Sequence, residues 1–336
     1  MTYLKYFLFT SAALLFIFGG LTMHYQPLNG DLTRLGYLSE NDYGWNAPQP
    51  VQTIFRMPMQ DPEILVVGDS FSTGNTWQSR LKELSGLGSV TLHLRDFLSS
   101  PYCTVKAAVE KYPTLDILII QSVERSAVSR MQQLVHQSED CAQFEGLNEV
   151  QTTEGVTSPK RKTEGYISDF AFLGKMFFYE RWKSGDLWRQ GQSYVAKLDR
   201  PDLFSNENGD HFVFYEGDIT SKSSWKNADI KKAFESFHRY SVEVSAFDLE
   251  PVLLVTPDKS TVYEKFLVAK NILPKSEFWQ LMATTEAPVI NLKPVFLTLS
   301  EEMIDFYLPN DTHMSVSAYQ EMARIIHEYI HAEGLK

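Results

Sequence analysis

The sequence predicts an α/β fold, a mainly parallel sheet of about five strands with helices covering both faces. Three observations carry that expectation. Five apolar runs, Ile64–Val67, Val90–Leu94, Ile117–Ile120, Val252–Val255 and Val289–Leu292, are each four or five residues long and bounded by polar or turn residues. Runs of that kind suit strands buried on both faces. Helical patterns separate them, and the first run ends in a tight Gly68-Asp69-Ser70 turn that leads into a helical pattern through Trp77, Leu81 and Leu84.

Taken in chain order, the first element is apolar. Lys5 is followed by a run from Tyr6 to Met23 broken only by Thr10, Ser11, Gly19, Gly20 and Thr22. At ~1.5 Å per residue this helix is ~27 Å long, close to the ~30 Å hydrocarbon core of a bilayer. Residues 1–24 are therefore expected to be a transmembrane anchor, longer than a signal-peptide core and without an A-x-A cleavage site after it. Lys5 on the short side, with Asp31 and Glu40 beyond, orients the amino terminus inward. The expected location is single-pass in the inner (plasma) membrane, with the bulk of the chain periplasmic.

From His24 to Gln60 the chain is rich in Pro, Gly, Asn and Asp without periodicity, so residues 25–60 read as a stalk. Residues 61–336 then form the globular domain, interrupted at about 138–222 by a polar insertion. Its loop signals are Pro159-Lys160-Arg161-Lys162 and Asn206-Glu207-Asn208-Gly209, and its aromatic clusters are Phe177-Phe178-Tyr179 and Phe212–Tyr215. The last helix has an apolar stripe of Ala318, Met322, Ile325, Ile326, Tyr329 and Ile330, with Ser317 and Gln320 as an expected capping box and Gly334 at its end.

Composition narrows the function. The 336 residues carry a net charge of −11 and 43% hydrophobic side chains, enough for a packed core and wrong in sign for a nucleic-acid surface. Cys103 and Cys141 are the two cysteines. An oxidising compartment permits a bridge between them, and two buried thiols fit as well. There is no Cys/His cluster of zinc-site spacing.

A serine at the carboxyl end of a strand and the start of a helix sits where open α/β sheets bind ligands, and backbone N–H groups there suit an oxyanion. Ser70 is the candidate nucleophile. Asp311 and His313 lie two residues apart before the last helix, so that in an extended loop both project to one side. Asp311 can then fix the His313 tautomer while the other ring nitrogen serves as base. The other histidines lack this arrangement. His327 and His331 lie on the last helix, His24 at the membrane boundary, and Asp210 and His211 are adjacent and point apart in extended backbone.

Gly68-Asp69-Ser70-Phe71-Ser72, the Asp–His pair before a terminal helix and the alternating strands resemble the SGNH (GDSL-like) hydrolase superfamily. With Asp311-Thr312-His313 they are similar to SGNH-type acetyltransferases of the alginate O-acetyltransferase group. Further similarity lies in Ile120–Ser126, Phe212–Gly217 and Thr256–Tyr263, so the resemblance touches most of residues 61–330. Met314 stands where that group has Trp, and the Asp–His pair follows the serine, as is ordinary in the wider superfamily.

The resemblance implies a three-layer α/β/α, flavodoxin-like catalytic domain without metal or organic cofactor. It implies an oxyanion hole from the serine N–H, a glycine after the second strand, for which no equivalent is evident here, and a donor after the third. That donor falls in Gln121–Arg125, with Arg125 the candidate guanidinium or else half of an ion pair with Glu124. Asp69 is expected to hold the turn, and Lys259 with Tyr263 to line the crevice. The function implied is O-acetyl transfer to cell-surface polysaccharide hydroxyls through an acyl-serine, with a carbohydrate acceptor, Lys160–Lys162 as its local basic groups, and a membrane partner that exports acetyl groups. An acetylesterase and a non-catalytic glycan-binding subunit are the alternatives.

Overall fold

The computed structural model describes residues 2–24, 29–134, 141–157, 170–181, 183 and 185–335. Lys160–Lys162, the basic groups expected to attract polyanions, lie outside them. The strands are β1 Gln52–Ile54, β2 Ile64–Gly68, β3 Ser89–His93, β4 Ile117–Val123, β5 Gly155–Thr157, β6 Leu187–Gln190, β7 Ser193–Lys197, β8 His211–Tyr215, β9 Glu250–Thr256 and β10 Val289–Asn291. Each of the five apolar runs supplies a strand of one parallel sheet, ordered β3-β2-β4-β9-β10, with only Leu94 and Leu292 falling just past their strands.

Alternation along these strands divides the core. Ile64, Val66, Ile117, Ile119, Val252 and Leu254 join Trp77 and Leu81 of helix Thr76–Ser85 and Met322 and Ile326 of helix Val316–Ala332 in one buried cluster. Leu65, Val67, Leu118, Ile120, Leu253 and Val255 join Val105 of helix Pro101–Lys111, Val128 of helix Glu124–Gln132 and Phe234 and Phe237 of helix Asn227–Val244 in a second. Period-two side chains thus send both faces of the sheet into helical cover.

The insertion is partly regular. β6-β7-β8 form an antiparallel sheet, β5 pairs with β1, and Phe212 and Phe214 belong to the first core cluster. Cys103 and Cys141 are joined, tying helix Pro101–Lys111 to the start of this region. The last helix begins two residues earlier than its expected capping box. Ser315 is the N-cap and its hydroxyl accepts from the Ala318 N–H, while Gly334 takes the left-handed conformation at the other end.

Residues 29–60 are not a stalk. Helix Asp31–Gly36 buries Leu32 and Thr33, and Leu38, Tyr43 and Glu40 are also buried. Leu32, Leu38 and Tyr43 pack with Val195 of β7 and Val213 of β8. The anchoring residues are single and aperiodic, and polar tethers do the rest. Helix Thr2–His24 is long and apolar enough to cross a membrane, and its apolar window is not buried by the protein.

Candidate active site

The Ser70 side of the site follows from local chemistry. β2 ends at Gly68, where any Cβ would come within 2.4 Å of the Ser72 Cβ and 3.0 Å of Gln121 Oε1, so the absence of a side chain lets Ser72 and Gln121 pack closely against the strand end. Asp69 caps the short helix Ser70–Thr73. Its Oδ1 accepts from the Phe71 N–H at 3.1 Å, and its Oδ2 accepts from the Val123 N–H at 2.9 Å and from the Arg130 guanidinium. Asp69 therefore holds the turn, as expected, and binds it to the end of β4. Asn75, with φ +54°, bends the chain into helix Thr76–Ser85.

Gln121 lies beneath this turn rather than in the open site. Buried in β4, its Oε1 accepts from the Asp69 N–H at 3.1 Å and the Ser72 hydroxyl at 3.0 Å, while its Nε2 donates to Thr256 Oγ1 at 3.2 Å. The amide is spent on positioning.

The imidazole comes from a pinned loop. Leu308 N–H donates to the His313 carbonyl at 3.0 Å, and the Ser315 N–H to the Phe306 carbonyl at 3.1 Å. Between these ties Asp311 and His313 form an Asx turn rather than extended chain. One carboxylate oxygen accepts from both the His313 N–H at 2.9 Å and its ring Nδ1 at 2.6 Å. The other ring nitrogen, Nε2, lies 2.8 Å from Ser70 Oγ, which is solvent-exposed, and Phe71 lies 4.8 Å from the ring between centroids. Ser70, His313 and Asp311 are thus one chain of hydrogen bonds spanning 243 residues.

Asp31 completes that chain, and nothing in its sequence neighbourhood announces it. Its oxygens accept from the Thr312 N–H at 2.8 Å and the Thr312 hydroxyl at 2.6 Å, and its own N–H donates to Asp311 Oδ2 at 3.3 Å. Behind it, the Asn310 carbonyl accepts from Leu32 N–H, the Asn310 amide donates to Glu40, and a Cβ on Gly30 would stand 1.9 Å from the Asn310 carbonyl oxygen. Asp31, Asp311 and His313 bring one ligand atom each within 4.8 Å, a spacing open to a cation. Their atoms take part in the hydrogen bonds just described.

The charges respond accordingly. Burial pushes Asp311 up, but the hydrogen bond and charge of His313 prevail and hold it below the usual carboxylate range. Burial pulls His313 down, and the bond to Asp311, with Asp31 and Asp69 nearby, raises it above 6.5. Asp31 is raised by burial and by Asp311.

Arg125, Lys259 and Tyr263 are placed differently from expectation. Arg125 donates to Asp258 at 2.8 Å and Asp218 at 3.4 Å and covers Tyr215, and those two carboxylates outweigh burial and raise its pKa. Glu124 pairs with Lys222 at 3.6 Å, not with Arg125, and accepts from Trp279, Thr261 and the Asp258 N–H. This buried network explains why the guanidinium is drawn away from an oxyanion role. Lys259 does not line a crevice. It is buried, donating to the Leu308 and Pro309 carbonyls at 2.8 and 2.9 Å over the Phe204 and Phe212 rings, and burial pushes it down to about 7. Tyr263, also buried, accepts from the Tyr307 N–H at 3.3 Å. Both support the loop from below.

Compared with known proteins, this chain matches no family model, no curated protein and no solved structure.

Proposed function

We propose that the protein is a membrane-anchored, extracytoplasmic serine O-acyltransferase acting on carbohydrate hydroxyls. The observation that carries this reading is the continuous Ser70–His313–Asp311 hydrogen-bond chain, with Ser70 exposed. The strand order, with β2 between β3 and β4, reads as a three-layer, flavodoxin-like sheet. In such sheets the ligand crevice opens at the carboxyl ends of the strands flanking the switch point. Ser70 follows β2 there, beside the end of β4.

In this mechanism His313 Nε2 removes the Ser70 proton as Oγ attacks the acyl carbonyl, and Asp311 stabilises the resulting imidazolium. The Ser70 N–H, which has no acceptor among the described residues, faces the developing oxyanion as its first donor. Collapse expels the donor's leaving group with the proton from His313. A sugar hydroxyl then gives its proton to His313 as it attacks the acyl carbonyl, and the Ser70 oxygen leaves as the ester bond breaks, taking that proton back from His313. An exposed serine suits a bulky polymer, and the anchor suits a cell-envelope acceptor and a membrane protein delivering acetyl groups. Because only the neutral imidazole acts as base, and His313 is raised, activity climbs with pH through a limb above 6.5.

Incubating the full chain with an acetyl-ester reporter, with and without an oligosaccharide, tests the reading. The acceptor gains one acetyl unit, and Ser70→Ala lowers turnover by about 10³-fold or more. Reporter turnover indifferent to Ser70→Ala defeats it, and hydrolysis without transfer assigns an esterase instead.

A further inference from the structure

Helix Phe170–Glu180, in the insertion, is apolar on two faces. Phe172, Leu173 and Met176 are buried against Leu21 and Tyr37. Beside that face Phe170, Gly174, Phe177 and Phe178, at spacings i, i+4, i+7 and i+8, form one exposed stripe, with Phe170 and Phe178 each more than half exposed. A stripe of that kind on a helix already covered on its other face marks a surface that water does not suit.

The neighbour of this helix identifies what covers it. The Phe170 ring lies 5.1 Å from Phe18, edge to face, and Phe18 belongs to the apolar segment Thr2–Leu21. Phe18 is three residues from Leu21, ~4.5 Å along a helix axis, so Phe170 is level with the outer edge of the hydrocarbon if that segment spans a bilayer. Eleven residues reach only ~16 Å, about half of the ~30 Å core, so the helix cannot cross. Interfacial helices bury their apolar face ~5–10 Å deep, which matches the level of Phe18.

We infer that helix Phe170–Glu180 is a second bilayer contact, lying in the outer membrane–water interface beside the N-terminal span and holding the Ser70 site near the lipid surface. The inference rests on the anchor reading above. Tyr37 makes the connection to the site. Its ring lies 5.5 Å from Phe172 and 6.1 Å from Tyr179, and its hydroxyl accepts from Lys175 at 2.8 Å. Tyr37 follows helix Asp31–Gly36, at whose other end, ~9 Å away, Asp31 holds Thr312 and Asp311. The substrates this placement favours are acyl donors or acceptors presented at the membrane surface rather than deep in the periplasm.

The test uses the full chain in phosphatidylcholine nanodiscs, with a nitroxide on one introduced cysteine, the native pair being bridged. Phe178→Cys reports the stripe, Phe16→Cys the span, and Val242→Cys, exposed on helix Asn227–Val244, the aqueous surface. Collisions with oxygen are expected to exceed those with a nickel chelate at 16 and 178, and the order to reverse at 242. A nickel-accessible label at 178 with a lipid-facing label at 16 overturns this inference and leaves the anchor standing. A label at 178 shielded from both reagents also overturns it, because a protein then covers the stripe. Nickel access at 16 removes the anchor and the inference together.

Discussion

Ser70 and His313 meet at 2.8 Å, yet the two halves of that contact are built in opposite ways. The serine side is built mainly from regular structure: a buried strand, a glycine, a capping aspartate and a four-residue helix within residues 64–73, tied to the adjacent strand through Gln121 and Val123. The imidazole side is an irregular loop held by segments far away in sequence, Asp31 across 280 residues and Lys259 across 49. A hydroxyl placed mainly by regular structure has few distant dependencies. An imidazole placed by tethers inherits the sensitivity of every tether.

The largest effect expected from that contrast comes at Gly30. A Cβ there would strike the Asn310 carbonyl at 1.9 Å, a backbone atom that cannot swing aside, and must displace the loop. Gly30→Ala is expected to cost about 10²-fold in kcat/KM, the scale of an ångström's misplacement. Ser70 should keep its environment, and circular dichroism should stay native. Unchanged kinetics would mean that the amino-terminal segment does not position the base.

Asp31 sharpens the comparison further. Asp31→Asn is expected to lower kcat about tenfold, the weight of a charge-assisted hydrogen bond. Because the Asp31 charge raises His313, its removal also shifts the acid limb of the pH–rate profile to lower pH. Thr312→Val keeps the charge and loses the hydroxyl bond. It should slow the reaction without moving the limb. A limb unmoved in Asp31→Asn would reduce Asp31 to a purely mechanical tie.

The third effect falls on stability and concerns Lys259. Its proton is held less tightly in the folded protein, at about 7, than in the unfolded chain, near 10.5. Between these values the unfolded state binds more protons, so unfolding free energy rises with pH. Denaturant unfolding at pH 7 and 9 should show the stability of the native chain growing relative to Lys259→Met. A pH-independent difference would show that the amine is not desolvated beneath the loop.

The same contrast explains what could be read from sequence. β2 and its turn are legible because four apolar residues, a glycine and a capping residue act on their immediate neighbours. Asp311 and His313 are legible as a pair, although their Asx turn departs from the extended loop that spacing alone suggests. Residues 29–60 mislead because Pro, Gly and Asn signal a linker, whereas Leu32 and Glu40 anchor singly, without a period. Arg125 and Lys259 mislead because their partners, Asp258, Asp218 and the 308–309 carbonyls, are brought up only by the finished sheet.

The tie between residues 31 and 311 also has a consequence in time. A ribosome adding ~5–20 residues per second needs on the order of 15–60 s to travel from one to the other. For most of that interval, once residue 70 has been added, the serine exists but its hydrogen-bond partner His313 does not. The nascent chain therefore carries a serine without its partner, and the Ser70–His313–Asp311 hydrogen-bond chain closes only when the last segment docks.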